Sequence, residues 1–144
     1  MSGQGQGQVM TSVLVVTHGE AGAAMLVEVA RLLGEEAADA MEPLAVAPGE
    51  AREPLRARMD AAVRRLDRGR GVLVLVDLQG STPCNCAVQL KKDGAAAEIL
   101  CGVSLPMLVK IASSDRRHLT PAELAHVAAE TAIRSIRLGE GGTA

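Results

Sequence analysis

No phenylalanine, tryptophan or tyrosine occurs anywhere in the 144-residue chain. Its core must therefore be aliphatic, built mainly from Ala, Val and Leu, and a surface that stacks sugars or bases on aromatic rings is excluded. An excess of charge is missing as well. Fifteen basic and 17 acidic side chains leave a formal net charge of −2, with no basic field for a phosphate backbone. Nucleic acid is thereby excluded as a partner. Unbroken aliphatic stretches such as Val72 to Val76 fall far short of the ~18 residues a membrane span needs. The N-terminal region has no charged start leading into an apolar secretory core. Three cysteines are an odd number, widely spaced except for Cys84 and Cys86, and make no disulfide framework. These absences predict a cytoplasmic protein with no direct membrane insertion.

What is present is a globular balance, 48% hydrophobic and 22% charged, at a length that suits one domain. Ser2 to Gln8 alternates Gly and Gln, so residues 1–10 are expected to form a disordered tail, residues 11–138 the domain, and residues 139–144 a frayed end. Val13 to Val16 is a β-branched run of the kind that a strand covered on both faces shows, and it stops at Thr17-His18-Gly19. Ala21 to Leu33 reads as a helix closed by Gly34. Leu44 to Ala47 is a weaker strand ended by Pro48-Gly49. Between Ala51 and Arg68, Leu55, Met59, Ala62, Val63 and Leu66 recur at helical spacing.

Gly71 to Val76 is a second buried strand and ends at Asp77. Thr82 is then expected as an N-cap, with Pro83 as the first residue of a helix to about Lys91. Ala97 to Cys101 is a fourth strand and Leu105 to Ala112 a short helical turn. Thr120-Pro121-Ala122-Glu123 is a capping box opening a last helix to about Leu138. Strands alternating with helices imply an α/β fold, a single doubly wound, mainly parallel sheet with helices on both faces. In such sheets ligands bind beyond the carboxyl ends of the strands, where the winding reverses. The two most apolar strands should form the central pair, and their carboxyl ends deliver His18 and Asp77.

A carboxylate beside an imidazole accepts a hydrogen bond from one ring nitrogen, fixes the tautomer and leaves the other nitrogen nucleophilic. Gly80-Ser81-Thr82 leads into a helix N-terminus, whose backbone N–H groups and positive dipole end suit a phosphate; the hydroxyls of Ser81 and Thr82 add donors. Taken singly, each feature has a plainer reading: a turn histidine, a solvated acid, a capped helix. Together they supply nucleophile, orienter and anion cradle, which matches phosphoryl transfer through a histidine.

These residues resemble the IIA proteins of the mannose-type branch of the bacterial phosphotransferase system. Val13 to Glu20, VLVVTHGE, looks like the phosphorylation-site segment, with His18 as phosphoacceptor. Ala47-Pro48-Gly49-Glu50 is similar to the family's Pro-Gly-Glu turn. Val74 to Asp77 followed by Gly80 to Asn85 resembles the signature whose Asp pairs with the active His, and Glu98 to Leu108 resembles the stretch ending in Asn-Leu-Pro-Met-Leu. Departures are Ser81 for the second glycine of the pair, Thr82 for the usual serine, Gln79 and Cys84 at aromatic positions, and Ser104 for the asparagine. The branch serving dihydroxyacetone kinase is less similar, because its two-glycine, two-aspartate turn is missing.

The resemblance implies a phosphohistidine donor protein of the HPr kind and a IIB-type acceptor in sugar uptake. Catalysis falls to His18 and Asp77, with phosphate held at Gly80, Ser81 and Thr82, and no cofactor or metal is needed. It also implies a homodimer that exchanges a C-terminal strand. The alternative is a regulatory binding module of the same fold, phosphorylated on His18 but signalling through a partner. A third reading is a small-ligand module that uses only the anion turn.

A metal site made of Cys84, Cys86, Cys101 and His18 is set aside. Cys84 and Cys86, two apart on a helix, point to different sides, and Cys101 has no close partner in sequence. The thiols are read as small core fillers, with Cys84 the one expected to be exposed near the site. His118 and His126 fall on charged, solvated surfaces, as does the arginine face of Arg56, Arg64 and Arg68.

Overall fold

The structure is a computed structural model and describes residues 9–140. The expected Gly/Gln tail up to Gln8 and the closing residues 141–144 lie outside the described residues. Four parallel strands, β1 (Ser12–His18), β2 (Met41–Val46), β3 (Val72–Val76) and β4 (Ala97–Cys101), form one sheet in the order β2-β1-β3-β4. The five helices are α1 (Ala21–Leu33), α2 (Arg52–Leu66), α3 (Thr82–Lys92), α4 (Leu105–Ala112) and α5 (Pro121–Arg134), with a 3-10 turn at Glu35–Ala38.

Alternation along the strands divides the core in two. Leu14, Val16, Val74 and Val76 pack with Leu55, Met59 and Leu90 under α2 and α3. Val13, Val15, Leu73 and Leu75 pack with Val29, Leu108 and Leu124 under α1, α4 and α5. The sheet is doubly wound, as its strand–helix alternation predicts. β1 and β3 are the central pair and bury every residue from Ser12 to Thr17 and from Val72 to Val76.

Three boundaries differ from the expected ones. β2 starts at Met41, upstream of the apolar run, because Glu42 and Pro43 occupy an edge strand where a missing N–H and an outward charge are tolerated. α5 ends at Arg134, not near Leu138, since Ile136 and Leu138 are 82% and 86% exposed and reach no core. α3 is capped by Ser81, with Thr82 as its first residue. The predicted capping box on α5 is present: the Glu123 N–H donates to Thr120 Oγ1 at 3.1 Å and the Thr120 N–H to Glu123 Oε1 at 2.9 Å.

At the amino edge of the sheet, the buried guanidinium of Arg116 donates to the carbonyls of Thr11, Ala37 and Asp39 at 3.2, 3.1 and 2.7 Å. One cation thus ties the start of β1 to the turn before β2.

Candidate functional site

After β1 the chain turns to β2 on one side, and after β3 it turns to β4 on the other. The winding therefore reverses between β1 and β3, and the crevice at their carboxyl ends is where a ligand site belongs. Val16 pairs with Val76 in register, so Asp77 follows one step beyond, beside Thr17 and His18. The Asp77 N–H donates to the Val16 carbonyl at 3.2 Å, continuing the ladder into the turn.

The two predicted residues meet directly. His18 Nδ1 lies 3.2 Å from Asp77 Oδ1 and 3.1 Å from Oδ2, and the His18 backbone N–H donates to Oδ2 at 2.8 Å. The carboxylate thus grips the histidine at both main chain and ring. With the Nδ1 proton held by Asp77, the lone pair lies on Nε2. The His18 side chain is 51% exposed and that of Asp77 22%. Burial alone would raise the pKa of Asp77; hydrogen bonds from the His18 N–H and the His18 ring outweigh it, and the carboxyl sits below its ordinary value. It is an anion at neutral pH, as an orienting partner must be.

The turn that carries His18 is fastened from below. Gly19 takes φ of +60° and donates its N–H to the Val46 carbonyl at 2.9 Å, joining the turn to the end of β2. Thr17, fully buried, points to the opposite side of the strand from His18. Its Oγ1 accepts from the Gly22 N–H at 2.8 Å and donates to the Gly19 carbonyl at 3.3 Å. Next to this turn, Glu50 closes the loop after β2. Its Oε1 accepts from the Ala47 N–H at 3.0 Å and its Oε2 from Arg58 Nη1 at 2.6 Å. The Arg58 hydrogen bond is the main reason its carboxyl also sits low.

Gly80, Ser81 and Thr82 occupy the turn from Asp77 into α3, at the same sheet edge. Gly80 has φ of +80°, and nothing lies within 4 Å of where a Cβ would stand. The hydroxyl of Ser81 is used locally: it donates to the Leu78 carbonyl at 2.6 Å and accepts from the Cys84 N–H at 3.4 Å. Thr82 is exposed on the first turn. The two hydroxyls therefore have different roles, Ser81 holding the turn and Thr82 facing solvent.

The cysteine expectations need correction. Cys84 is not exposed near the site but buried, because the inner face of α3 turns it toward β4. Its Sγ lies 3.1 Å from that of Cys101, so Cys101 does have a close neighbour. All three thiols are free, and no cluster of three or more metal-ligating side chains occurs among the described residues. Burial, followed by the Cys84 contact, pushes the Cys101 thiol up to about 12. Burial pushes the Cys86 thiol up as well, so Cys86 and Cys101 carry their protons at neutral pH. His118 and His126 are exposed, the former bonded to Asp115 at 2.7 Å.

Sequence reasoning missed Thr17, because its part in the site depends on the contact with the Gly22 N–H at the first turn of α1, which no local pattern encodes.

The chain is similar to known proteins over most of its length. A family model described as "PTS system fructose IIA component" matches residues 12–128. The chain is 33% identical over 129 residues to the PTS system mannose-specific EIIAB component of Escherichia coli K12, covering 89% of this chain but 39% of that protein. It is 29% identical over 115 residues to the PTS system fructose-specific EIIA component of Bacillus subtilis, covering 80% of this chain and 77% of that one. Among solved structures, the mannose/sorbose specific IIA subunit from Enterococcus faecalis superposes with a TM-score of 0.81 at 22% identity, covering 94% of this chain and 98% of that one. The PTS IIA protein associated with the fucose utilization operon from Streptococcus pneumoniae gives 0.77 at 26% identity, with 93% and 96% covered. The chain spans about two fifths of the length of the Escherichia coli relative.

Proposed function

The chain belongs to the mannose-type IIA family of the bacterial phosphotransferase system, and we propose that it carries a phosphoryl group on His18 between two proteins of a sugar-uptake relay. One observation carries the reading: His18 is half exposed with Nδ1 tied to a carboxylate, which leaves the Nε2 lone pair free on an accessible ring. Nε2 attacks the phosphorus of a phosphohistidine on an HPr-like donor protein. The N–P bond of the donor breaks as the new one forms, and its electron pair returns to the donor ring. The second transfer, to a IIB-type acceptor, runs the same exchange in the other direction.

Positioning and charge stabilisation do the work, since the phosphoryl group arrives already activated. Asp77 stabilises the positive ring that phosphorylation creates. The first turn of α3, with Gly80 and the exposed hydroxyl of Thr82, cradles the phosphoryl oxygens, and Ser81 shapes that turn. No cofactor or metal enters the exchange.

The proposal includes a homodimer in the cytoplasm. No helix among the described residues is long and apolar enough to cross a membrane. The edge strand β4 is half-buried throughout, and beside it lies a cleft of about 510 Å³ lined by Leu100, Met107, Ala132, Ile133 and Ile136. An apolar edge of this kind favours pairing with a second copy.

The test is intact-mass measurement after incubation with phosphoenolpyruvate and the general donor proteins. A gain of one phosphoryl group, lost in acid and absent from His18→Ala, is expected. No gain under conditions in which the donor itself is phosphorylated would overturn the reading.

A further inference from the structure

We propose that Thr17 is the positioning residue of the phosphoacceptor, its hydroxyl locking the turn that holds His18; the inference rests on the carrier reading above. α1 starts directly after this turn, and Glu20 at its N-cap position contributes no side-chain hydrogen bond. A helix start leaves backbone N–H groups without intrahelical partners, and burying one unpaired is unfavourable. The Thr17 hydroxyl replaces the missing cap from the preceding strand. It accepts from the Gly22 N–H at 2.8 Å and passes its own proton to the Gly19 carbonyl at 3.3 Å. One buried oxygen thus bonds to both sides of the segment that follows His18.

The packing is built around that oxygen. A Cβ on Gly22 would stand 3.1 Å from Thr17 Oγ1, 3.2 Å from Thr17 Cγ2 and 3.1 Å from Val15 Cγ1. A side chain at Gly22 would force these neighbours to give way by a few tenths of an ångström. His18, by contrast, is half exposed, and among the described residues its ring is hydrogen-bonded only by Asp77. Asp77 fixes which nitrogen carries the proton, and Thr17 fixes where the peptide bearing the ring stands. Attack in line on phosphorus depends on the second as much as the first, because sub-ångström displacement of a reacting atom slows transfer.

The experiment measures single-turnover phosphoryl transfer from the phosphorylated donor protein as donor concentration is varied. Thr17→Val keeps the shape and removes the hydroxyl. We expect the rate at saturating donor to fall about tenfold, the loss of one hydrogen bond of ordinary net strength, with half-saturation unchanged. Thr17→Ser restores the hydroxyl and should restore the rate, and the Gly22 amide should exchange faster with solvent in the valine variant alone. If Thr17→Val does not fold, Gly22→Ala replaces it. That methyl pushes the helix off the hydroxyl without removing it, and transfer should slow in a folded protein. Wild-type saturating rates in Thr17→Val, or in Gly22→Ala where the valine variant is unfolded, overturn the proposal even if Tm falls. Absence of phosphoryl uptake by the unaltered protein instead overturns the carrier reading.

Discussion

Asp77→Asn separates orientation from bulk at the site. The wild-type carboxylate accepts hydrogen bonds from both the His18 N–H and His18 Nδ1. Asparagine has the same size but one acceptor oxygen, and its NH₂ group then faces either the main chain or the ring. If it faces the ring, it repels the Nδ1 proton and favours the tautomer with the proton on Nε2, where the phosphoryl group should land. Hydrogen bonds to a charged group are worth about 1.5–3 kcal/mol, and the 22% exposure of Asp77 places this one toward the lower end. Loss of a single such contact in the transition state slows transfer roughly 10- to 100-fold. The assay is quenched-flow phosphoryl uptake from the donor protein, with the ring tautomer read from the ¹⁵N shifts of His18. Asp77 also makes a signed prediction about acid. Its folded-state pKa lies below the unfolded one, so its contribution to stability is complete above the ordinary carboxylate range near pH 4 and is lost as pH falls through the lowered value. The Asn variant should lack that part of the acid dependence. Uptake within about twofold of wild type, with an unchanged tautomer, would refute the argument that the carboxylate sets the chemistry of Nε2.

His18→Ala should abolish phosphoryl uptake and leave Tm nearly unchanged, because a side chain 51% exposed adds little to the core; intact mass and thermal melting read the two outcomes. Thr82→Val should slow transfer by the equivalent of about 1–3 kcal/mol without destabilising α3, since Ser81 is the cap; an unchanged rate would leave the cradle to main-chain N–H groups. Ser81→Ala should do the reverse in urea melts, removing about 1 kcal/mol of stability through the lost cap. Arg116→Met should lower stability by about 2–4 kcal/mol by leaving the carbonyls of Thr11, Ala37 and Asp39 without their donor, while phosphorylated His18 still forms.

The fold was legible because its signals are one-dimensional. Val13 to Val16 and Val72 to Val76 are apolar on both faces, a pattern found only where helices cover both sides, and that placed β1 and β3 at the centre. Once they are neighbours, the residues just past their ends meet, so His18 and Asp77 could be paired without coordinates. What escaped depended on contacts that no local pattern encodes. Thr17 reads as the last residue of a strand, and its role appears only when the first turn of α1 is brought against it. Ser81 and Thr82 both suit an N-cap, and the choice went to Ser81 because its hydroxyl also reaches back to the Leu78 carbonyl. Cys84 occupies an aromatic position of the family signature, where exposure near the site was expected. The small thiol turns inward and meets Cys101 across α3 and β4.

The openness of the site constrains what can donate to it. The cleft of about 620 Å³ between α2 and α3 is lined by Arg56, Asp60, Leu90 and Asp93, and the one of about 510 Å³ by α4, α5 and the end of β4. Neither includes His18 or Asp77. Sites for small metabolites bury most of the ligand's surface among converging walls, and an exposed histidine at a sheet edge has no such walls. Without aromatic residues the chain has no rings to stack against a sugar either. The proposed protein donor would meet the difficulty, because the surface around its own phosphohistidine would cover the edge of the sheet and exclude water as the two imidazoles align. The side chains needed from this chain then reduce to a nucleophile, its orienter and a short anion cradle. That is the set found past the ends of β1 and β3, and on the proposed reading it explains why His18 can serve as acceptor while standing outside the clefts of about 620 and 510 Å³.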